Sequence, residues 1–344
     1  MRKKKLLILF IGIASVTSIL VIIGFMFNKT EEEKRNGLTE IFDVSPAGTI
    51  AYITYDEGQQ RIILKNDSVE QLALDINEEK AILDIAFSPD GSSLVYSVGN
   101  KDVEEELLTS VNILDVESLE DQPLFQKSGL ITDVAFDPKD EDNLFYVKAN
   151  TYENYSPIAR ANPHDFDIYS FHLQEEKHTQ YTYLDAYDLR SLQVSPSEDA
   201  VYIQMFDDAN AETADDIFAA KSKVFKIPLD EPDQLTAISD PNKKEDIYDF
   251  ALFSDEQTMI YQSISNMEEG GTFKYELYTY GLYSNEEKQL THLKEYTSRP
   301  VISASGEEVY FIVDTQFAQK RPAYHLYKLY LNVNEVTEIE LEYN

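Results

Sequence analysis

The chain has 344 residues, of which 43% are apolar, 63 are acidic and 29 are basic. This length and apolar content suit one large domain or two ordinary ones with a buried core. The formal net charge of −34 argues against a nucleic-acid partner, because an acidic surface repels phosphate. The absence of Cys excludes disulfides, thiolate metal sites and Cys nucleophiles.

The N-terminus predicts a membrane anchor. Four basic residues at positions 2–5 precede an uncharged run over 6–27. As a helix this run would measure about 33 Å, which matches the ~30 Å hydrocarbon core of a bilayer. Basic flanks stay on the cytoplasmic side. We therefore expect a single-pass protein of the cell membrane, with a cytoplasmic N-terminus and the rest of the chain outside.

The alternative for this run is a cleaved signal peptide, whose apolar region is shorter and ends in small residues. Here the small residues lie mid-run, and Phe25, Met26 and Phe27 end it, which favours an uncleaved anchor. The acidic segment that follows has no apolar period and predicts a tether. The predicted organisation is a basic tip and anchor over 1–27, a tether over 28–40 and a folded body over 41–344.

A six-fold repeat fills this body. Its fullest copy runs from Ile85 to Gly91 as Ile-Ala-Phe-Ser-Pro-Asp-Gly, with the Pro at position 89. Weaker copies have the position equivalent to this Pro at 46, 138, 196, 255 and 304. A Tyr follows each of these positions by six to eight residues: Tyr52, Tyr96, Tyr146, Tyr202, Tyr261 and Tyr310. This regularity predicts that the Tyr side chains pack between neighbouring repeats.

Each repeat offers about four short runs of alternating apolar residues, separated by Pro, Gly and Asp turns. Such runs are typical of antiparallel strands, and four strands per 40–60 residues are typical of a propeller blade. The predicted fold is therefore all-β, a six-bladed β-propeller preceded by one N-terminal transmembrane helix.

The Ser-Pro-Asp-Gly turn at 88–91 and the Gln-Leu-Thr strand ends at 234–236 and 289–291 resemble the TolB-type propeller repeat, which is related to WD-repeat propellers. The resemblance covers about residues 40–344, although the fifth and sixth copies lack the Pro. It implies an extracytoplasmic propeller, and many members of this group bind other proteins. It implies little about activity, because the fold carries many functions.

Strand alternation predicts two different faces. If the strands of a blade are called A to D, the A–B and C–D turns share one face, here called the acidic face because Asp and Glu far outnumber Lys and Arg in its turns. The B–C loops and D–A connections form the other, here called the loop face. Five arginines are expected on or beside the loop face: Arg61, Arg160, Arg190, Arg299 and Arg321. Because the tether also enters there, we expect the loop face to lie nearer the membrane.

Two long B–C loops, over 149–166 and 207–222, predict a raised patch on blades 3 and 4. Tyr and Arg are the residue types that anchor interfaces, and two prolines stiffen the first loop. The alternative is that this loop packs over the channel mouth only for stability. The candidate residues for a ligand or partner, from this loop and the channel mouth, are Tyr152, Tyr155, Arg160, His164, Asp165, Arg190 and Arg321.

Catalytic patterns are sparse. The five His include no pair at metal-ligand spacing on one element, and no Gly-x-Ser-x-Gly motif is present. We expect no catalytic residue, no metal and no cofactor. The sequence favours a non-enzymatic scaffold that binds another envelope protein. The alternative is a propeller that binds a glycan or small ligand, with sensor or lyase/hydrolase activity at the channel mouth. That alternative needs His164 and Arg160 to converge with Arg190 or Arg321 in one pocket.

Overall fold

The structure is a computed structural model that describes residues 10, 12–13, 15–20, 24, 34–67, 69–101, 107–154, 161–209, 211–240, 243 and 245–342. From residue 37 onward these form 24 strands in six consecutive groups of four. Blade 1 contains β1 (Gly37–Val44), β2 (Ile50–Asp56), β3 (Gln59–Lys65) and β4 (Glu70–Asp75). Blade 2 contains β5 (Lys80–Phe87), β6 (Ser93–Asn100), β7 (Leu108–Asp115) and β8 (Asp121–Ser128). Blade 3 contains β9 (Leu130–Asp137), β10 (Asp140–Asn154), β11 (Ala161–His172) and β12 (Lys177–Gln180).

Blade 4 contains β13 (Leu189–Val194), β14 (Ala200–Phe206), β15 (Ser222–Pro228) and β16 (Thr236–Ala237), with the short helix α1 (Ala214–Ala219) between β14 and β15. Blade 5 contains β17 (Asp249–Leu252), β18 (Thr258–Ile264), β19 (Tyr275–Gly281) and β20 (Glu287–Gln289). Blade 6 contains β21 (Tyr296–Ile302), β22 (Glu308–Asp314), β23 (Tyr324–Tyr330) and β24 (Glu335–Glu338).

Within each blade the strands pair antiparallel in chain order, and a single parallel bridge between Tyr275 and Tyr296 joins blades 5 and 6 into one eight-stranded sheet. The first strands of neighbouring blades contact one another all the way around, from β1 to β5 and finally from β21 back to β1. They therefore form the inner wall of a closed ring. The predicted six-bladed β-propeller is confirmed, and each predicted turn position lies between the first and second strands of its blade.

The fullest turn shows why the Ser-Pro-Asp-Gly residue types are needed. The Asp90 carboxylate accepts hydrogen bonds from the Ser92 backbone N–H (3.0 Å) and the Ser88 hydroxyl (2.6 Å). Gly91 has a φ of +75°, a backbone conformation that Gly adopts without steric cost. The turn is thus specified locally, by side chains that bond their own backbone.

The Tyr column packs between blades as predicted. All six Tyr side chains are at most 6% exposed, and each belongs to a buried cluster that two neighbouring blades build together. Their hydroxyls reach polar partners near the rim. Tyr96 donates to Asp121 at 2.8 Å, and Tyr52 and Tyr261 donate to Glu70 and Glu287. A buried phenol therefore keeps its hydrogen bond while its ring fills the gap between sheets.

The ring closes without a shared strand. Blade 1 and blade 6 each keep four strands of their own, and one apolar cluster joins Tyr52 and Ile63 to Tyr310, Ile312 and Leu326. The C-terminal segment reinforces this contact, since the backbone N–H of residue 342 donates to the side chain of residue 70 at 2.8 Å. Closure therefore depends on side-chain packing between the first and last blades.

The predicted anchor falls mostly outside the described residues. Residues 10, 12–13, 15–20 and 24 of it are described, and they are helical. Within the described part of the chain, no helix combines the length and apolarity that a bilayer crossing requires. The membrane anchor therefore stays a prediction. The first strand begins at Gly37, inside the segment predicted as tether.

Candidate functional site

The inner strands are irregular where they face the channel. The pairing register shifts in the middle of β1, β5, β9, β13 and β21. Such β-bulges bend a strand and re-aim its side chains. Ser191 and Arg299, at two of these bulges, have φ values of 57° and 53°. The bulges therefore position several polar side chains around the channel that alternation alone would not place there.

A chain of side-chain bonds links each inner strand to the next. In five successive steps, a carboxylate or amide oxygen on one blade accepts a backbone N–H from the following blade. The pairs are Asp43 with Phe87 (2.7 Å), Asp84 with Val134 (3.0 Å), Asp133 with Leu192 (3.3 Å), Gln193 with Leu252 (2.9 Å) and Asp249 with Arg299 (2.8 Å). These side chains satisfy backbone donors that the bulges release from regular pairing.

Arg299 is the central cation of the channel. Its Nη1 lies 3.6 Å from Asp84 Oδ1, and Asp249, Asp133 and Glu40 also act on its charge. Burial raises the pKa of Asp84 to about 8, although Arg299 opposes this shift. Burial also raises the pKa of Asp249 and Glu40. Acidic groups therefore outnumber the cation, and the channel resists holding all of them ionised.

Aromatic rings border the channel on the loop face. Tyr248 and Tyr296 line a channel cavity of about 370 Å³ together with Arg190 and Arg299. Phe317, from the loop between β22 and β23, stacks on Tyr296 with ring centroids 4.5 Å apart. This loop is thereby fixed against the channel mouth.

The predicted patch on blade 3 is a long hairpin. Strands β10 and β11 extend well beyond the blade and still pair Tyr152 with Pro163. Asp165 accepts a hydrogen bond from the Thr151 hydroxyl at 2.6 Å and lies 3.0 Å from His164 Nδ1. These two contacts lower the pKa of Asp165. Tyr155 and Arg160 lie outside the described residues.

Blade 4 contributes the other half of the raised patch. Thr213 caps α1, and its hydroxyl and the Asp216 side chain form a capping box. The helix presents Ile217 and Phe218 outward, with 52% and 88% of their surface exposed. Between the hairpin and the base of this loop lies a cavity of about 330 Å³, lined by His164, Asp165, Tyr187, Asp207 and Asp208 among others. The two extended loops thus enclose one concave, acidic surface.

The structure does not bring all predicted site residues together. His164 and Asp165 line the cavity of the raised patch. Arg190 lines the channel, where its Nε donates to Asp188 at 2.7 Å. Arg321 lines a third cavity. The ligand-binding alternative requires His164 and Arg160 to converge with Arg190 or Arg321; Arg160 lies outside the described residues, so this convergence stays a prediction, and the cavities of His164 and Arg190 share Asp188 in their lining.

This third cavity, here called the basic cleft, was not predicted. It has a volume of about 720 Å³ and lies where blades 1 and 6 meet on the loop face. Its exposed cations are Lys34, Arg35, Lys320 and Arg321. Glu40 and Arg299 line it too, as do two tyrosines. The two Lys-Arg pairs in the sequence, at 34–35 and 320–321, were the available signal, but only ring closure brings them together.

The described residues include no group of three or more His, Asp or Glu side chains positioned to hold a metal ion. Carboxylates are numerous, but those of the channel accept backbone N–H groups. Their oxygens therefore already serve the contacts between blades.

No protein-family model matches the sequence, and no curated protein matches it either. Solved structures do. TolB from Acinetobacter baumannii aligns with a TM-score of 0.57 and 12% identity, over 94% of this chain and 68% of TolB. An oligogalacturonate lyase in complex with manganese aligns with a TM-score of 0.56 and 14% identity, over 88% and 77% of the two chains. The β-propeller domain of the Trilobed protease from Pyrococcus furiosus, described as having an open velcro topology, aligns with a TM-score of 0.51 and 12% identity, over 89% and 83%. At these identities the likeness shows the propeller fold alone.

Proposed function

We propose that the protein is a non-enzymatic scaffold of the cell envelope, held at the membrane by its N-terminal helix, whose propeller binds another envelope protein. The observation that carries this proposal is the raised patch on blades 3 and 4. Blade 1 joins its second and third strands by a two-residue turn, whereas blades 3 and 4 extend theirs into a hairpin and a helix-bearing loop. Additional chain that leaves the repeat pattern is typical of a binding surface.

The chemistry of the patch suits a protein partner. Ile217 and Phe218 are exposed side by side on α1, and the half-buried Tyr152 lies on the neighbouring hairpin. Large apolar and aromatic side chains of this kind anchor protein interfaces. The adjoining aspartates favour a partner that offers Lys or Arg around an apolar centre.

The proposed anchor is supported by the exposure of its described apolar side chains. Phe10, Ile13, Val16, Ile19 and Leu20 are helical yet 55–64% exposed. Among the described residues these apolar side chains are exposed, and an exposed apolar helix suits a lipid environment. We propose that the helix crosses the cell membrane and that the propeller lies outside.

The proposal is tested by crosslinking the full chain in its native cells and identifying the attached protein by mass spectrometry. Replacing Ile217 and Phe218 with Ala should reduce recovery of the partner at least tenfold, because losing an interface anchor costs about 2 kcal/mol or more. The matched control replaces Tyr283 and Val333 with Ala. These two side chains are 81% and 65% exposed and lie in turns of the acidic face, so recovery should stay unchanged.

Equal recovery with both double variants would remove the raised patch from the proposal. If no protein were recovered in a constant ratio to the chain, the proposed scaffold function itself would be wrong. Circular dichroism of each variant distinguishes these outcomes from unfolding, since all four side chains lie outside the core.

A second candidate is a glycan-binding propeller, and the aromatic rim of the channel favours it. Tyr248 and Tyr296 border a cavity large enough for a sugar. Glu40, Asp133, Asp188 and Asp249 share this cavity with only two arginines. This excess of carboxylates repels acidic sugars, so the second candidate is narrowed to neutral or basic glycans.

A further inference from the structure

Two polar atoms in the wall of the channel cavity have no hydrogen-bond partner among the described residues. They are the side-chain nitrogen of Gln262 and the hydroxyl oxygen of Thr132. Gln262 is 1% exposed. Burial raises the pKa of Tyr296, and the neighbouring Gln262 amide opposes this shift, yet the amide nitrogen lies outside hydrogen-bond geometry. Unsatisfied buried groups are rare in native proteins, so two in one cavity point to a ligand with hydrogen-bonding oxygens.

The wall of the same cavity carries more negative than positive charge. Four carboxylates line it together with two arginines: Glu40, Asp133, Asp188 and Asp249. Arg190 donates to Asp188 at 2.7 Å, and Arg299 acts on the other three and on Asp84 as well. Burial raises the pKa of Glu40 and of Asp249, and Arg299 opposes both shifts. A further cation in the cavity would lower the cost of keeping these carboxylates ionised.

Aromatic rings give this cavity a fixed shape. Tyr248 packs edge-on against Tyr275 with ring centroids 5.1 Å apart, and Tyr275 packs against Tyr296 at 4.8 Å. Phe317 stacks on Tyr296, and Tyr248 and Tyr296 line the cavity. The face of an aromatic ring attracts an ammonium group. Because these rings already hold one another in place, they need little further ordering when a ligand binds.

We propose that the channel cavity binds a small polyhydroxylated amine such as an amino sugar. Its ammonium group donates to the carboxylates, and its hydroxyl groups pair with Gln262 and Thr132. A primary ammonium fits better than a quaternary one, because carboxylates form their strongest hydrogen bonds with charged N–H donors. The inference rests on the second candidate function, the glycan-binding propeller, and names the charge of its ligand. It depends neither on the membrane anchor nor on the raised patch.

The test compares two sugars that differ at one group. Binding of glucosamine and of N-acetylglucosamine to the solubilised full chain is measured by titration calorimetry at neutral pH. We expect a single site that binds glucosamine at least about tenfold more tightly, because acetylation removes the charge and its hydrogen bonds to the carboxylates. This comparison uses the unmodified chain, so it does not depend on how well any variant folds.

The other outcomes separate this inference from the second candidate function. Equal or tighter binding of N-acetylglucosamine would overturn the inference and support the second candidate for a neutral glycan. Binding of neither sugar would overturn the inference, and a panel of neutral oligosaccharides would then decide the second candidate by itself. Equal binding of choline, whose ammonium has no N–H group, would show that the aromatic rings alone select the cation and would overturn the role of the carboxylates.

Charge variants locate the site. Glu40→Gln and Asp188→Asn each remove one carboxylate from the cavity with little change of volume, and each should weaken glucosamine binding about tenfold. The matched control is Asp43→Asn. Asp43 lies on the same strand as Glu40 and accepts from the Phe87 N–H, but it lies outside the lining of this cavity. The control should bind glucosamine like the unmodified chain, and equal losses in all three variants would overturn the inference.

A last variant separates a ligand-binding role of Gln262 from a structural one. Gln262→Met keeps the length of the side chain and removes the unsatisfied nitrogen. Replacing such a group with an apolar one of similar shape costs the fold little, so the urea midpoint should not fall. The affinity for glucosamine should fall several-fold, because the ligand loses a hydrogen bond. A lower midpoint with unchanged affinity would assign the amide to the fold and overturn its place in the site.

Discussion

The carboxylates of the inner ring and those of the outer turns have the same chemistry and opposite roles. On the inner strands, Asp43 and Asp249 accept backbone N–H groups from the next blade, and burial raises the pKa of both. In the turns of the acidic face, Asp90 and Asp115 accept N–H and hydroxyl groups from residues two or three positions along, and these hydrogen bonds lower the pKa of both. The first group joins blades, and the second shapes single turns.

The difference teaches how this acidic chain forms a stable ring. An exposed turn carboxylate keeps its hydration, so its hydrogen bonds favour the ionised form. An inner carboxylate loses water, and its acceptor role must offset the cost of burial. In the inner ring, the cost of burying carboxylates and the gain from their hydrogen bonds are therefore both large. Substitutions there should change the stability of the fold most.

The largest effect is expected from Asp249→Ala. Asp249 is 8% exposed and accepts hydrogen bonds from the backbone of Arg299 and Phe250 and from the Ser191 hydroxyl. Leaving buried donors unsatisfied costs about 1–3 kcal/mol each, so we expect a loss of about 3 kcal/mol in urea unfolding of the solubilised chain. The matched variant Asp115→Ala also removes three hydrogen bonds, but water replaces them, and its loss should be much smaller. Equal losses would contradict the comparison.

An intermediate effect is expected from Arg299→Met. The Arg299 side chain is 35% exposed, and Asp84, Asp249 and Asp133 face it. Without the cation, Asp84 holds its proton to a higher pH in the folded state, whereas the unfolded chain releases it near pH 4. The variant should therefore lose stability as the pH rises, by about 2 kcal/mol at pH 8.5 and much less at pH 5. The stability of Arg299→Lys, which keeps the charge, should depend less on pH. If Arg299→Met lost the same free energy of unfolding at pH 5 and pH 8.5, its effect would not be electrostatic.

The smallest effect, and one of opposite sign, is expected from Asp43→Asn. Burial raises the pKa of Asp43 to about 6, so the unfolded chain loses this proton near pH 4 and the folded chain near pH 6. The stability it contributes is present below pH 4 and is lost between pH 4 and 6. Asn can still accept from the Phe87 N–H and does not titrate. The free energy of unfolding of the variant should exceed that of the unmodified chain by on the order of 1 kcal/mol above pH 7. Its urea midpoint should also vary less between pH 4 and 6. If the midpoint of the variant varied with pH as steeply as that of the unmodified chain, Asp43 would be ionised over this whole range.

The same contrast explains how far the sequence could predict the fold. Turn carboxylates accept hydrogen bonds from residues nearby in the sequence, so the motif around Pro89 and Asp90 predicted the turns. The spacing of the Tyr column predicted the packing between blades. Inner carboxylates bond across 44 to 59 residues, through bulges that break strand alternation. Arg299 was expected on or beside the loop face, and it lines both the basic cleft on that face and the channel cavity; its contact with Asp84 across the ring was not predicted.

The candidate site was predicted in part. Loop length predicted the raised patch, because extra residues between two strands must leave the blade, and Tyr152, His164 and Asp165 do lie on its hairpin. The exposed pair on α1 was missed, since a six-residue helix gives too little periodicity to be recognised. The basic cleft was missed because its cations come from opposite ends of the body, and one-dimensional spacing cannot show that these ends meet.

The closure of the ring has a mechanical consequence. Because no strand is exchanged between the first and last blades, the disc has a seam, and the segment that precedes β1 leaves the fold beside it. Tension along that segment would load the apolar contact of Tyr52 with Tyr310 and Ile312 before any other blade boundary. If the N-terminal segment is anchored in the membrane as proposed, a pull on that end would load blade 1 first, while the five remaining blades stay stacked.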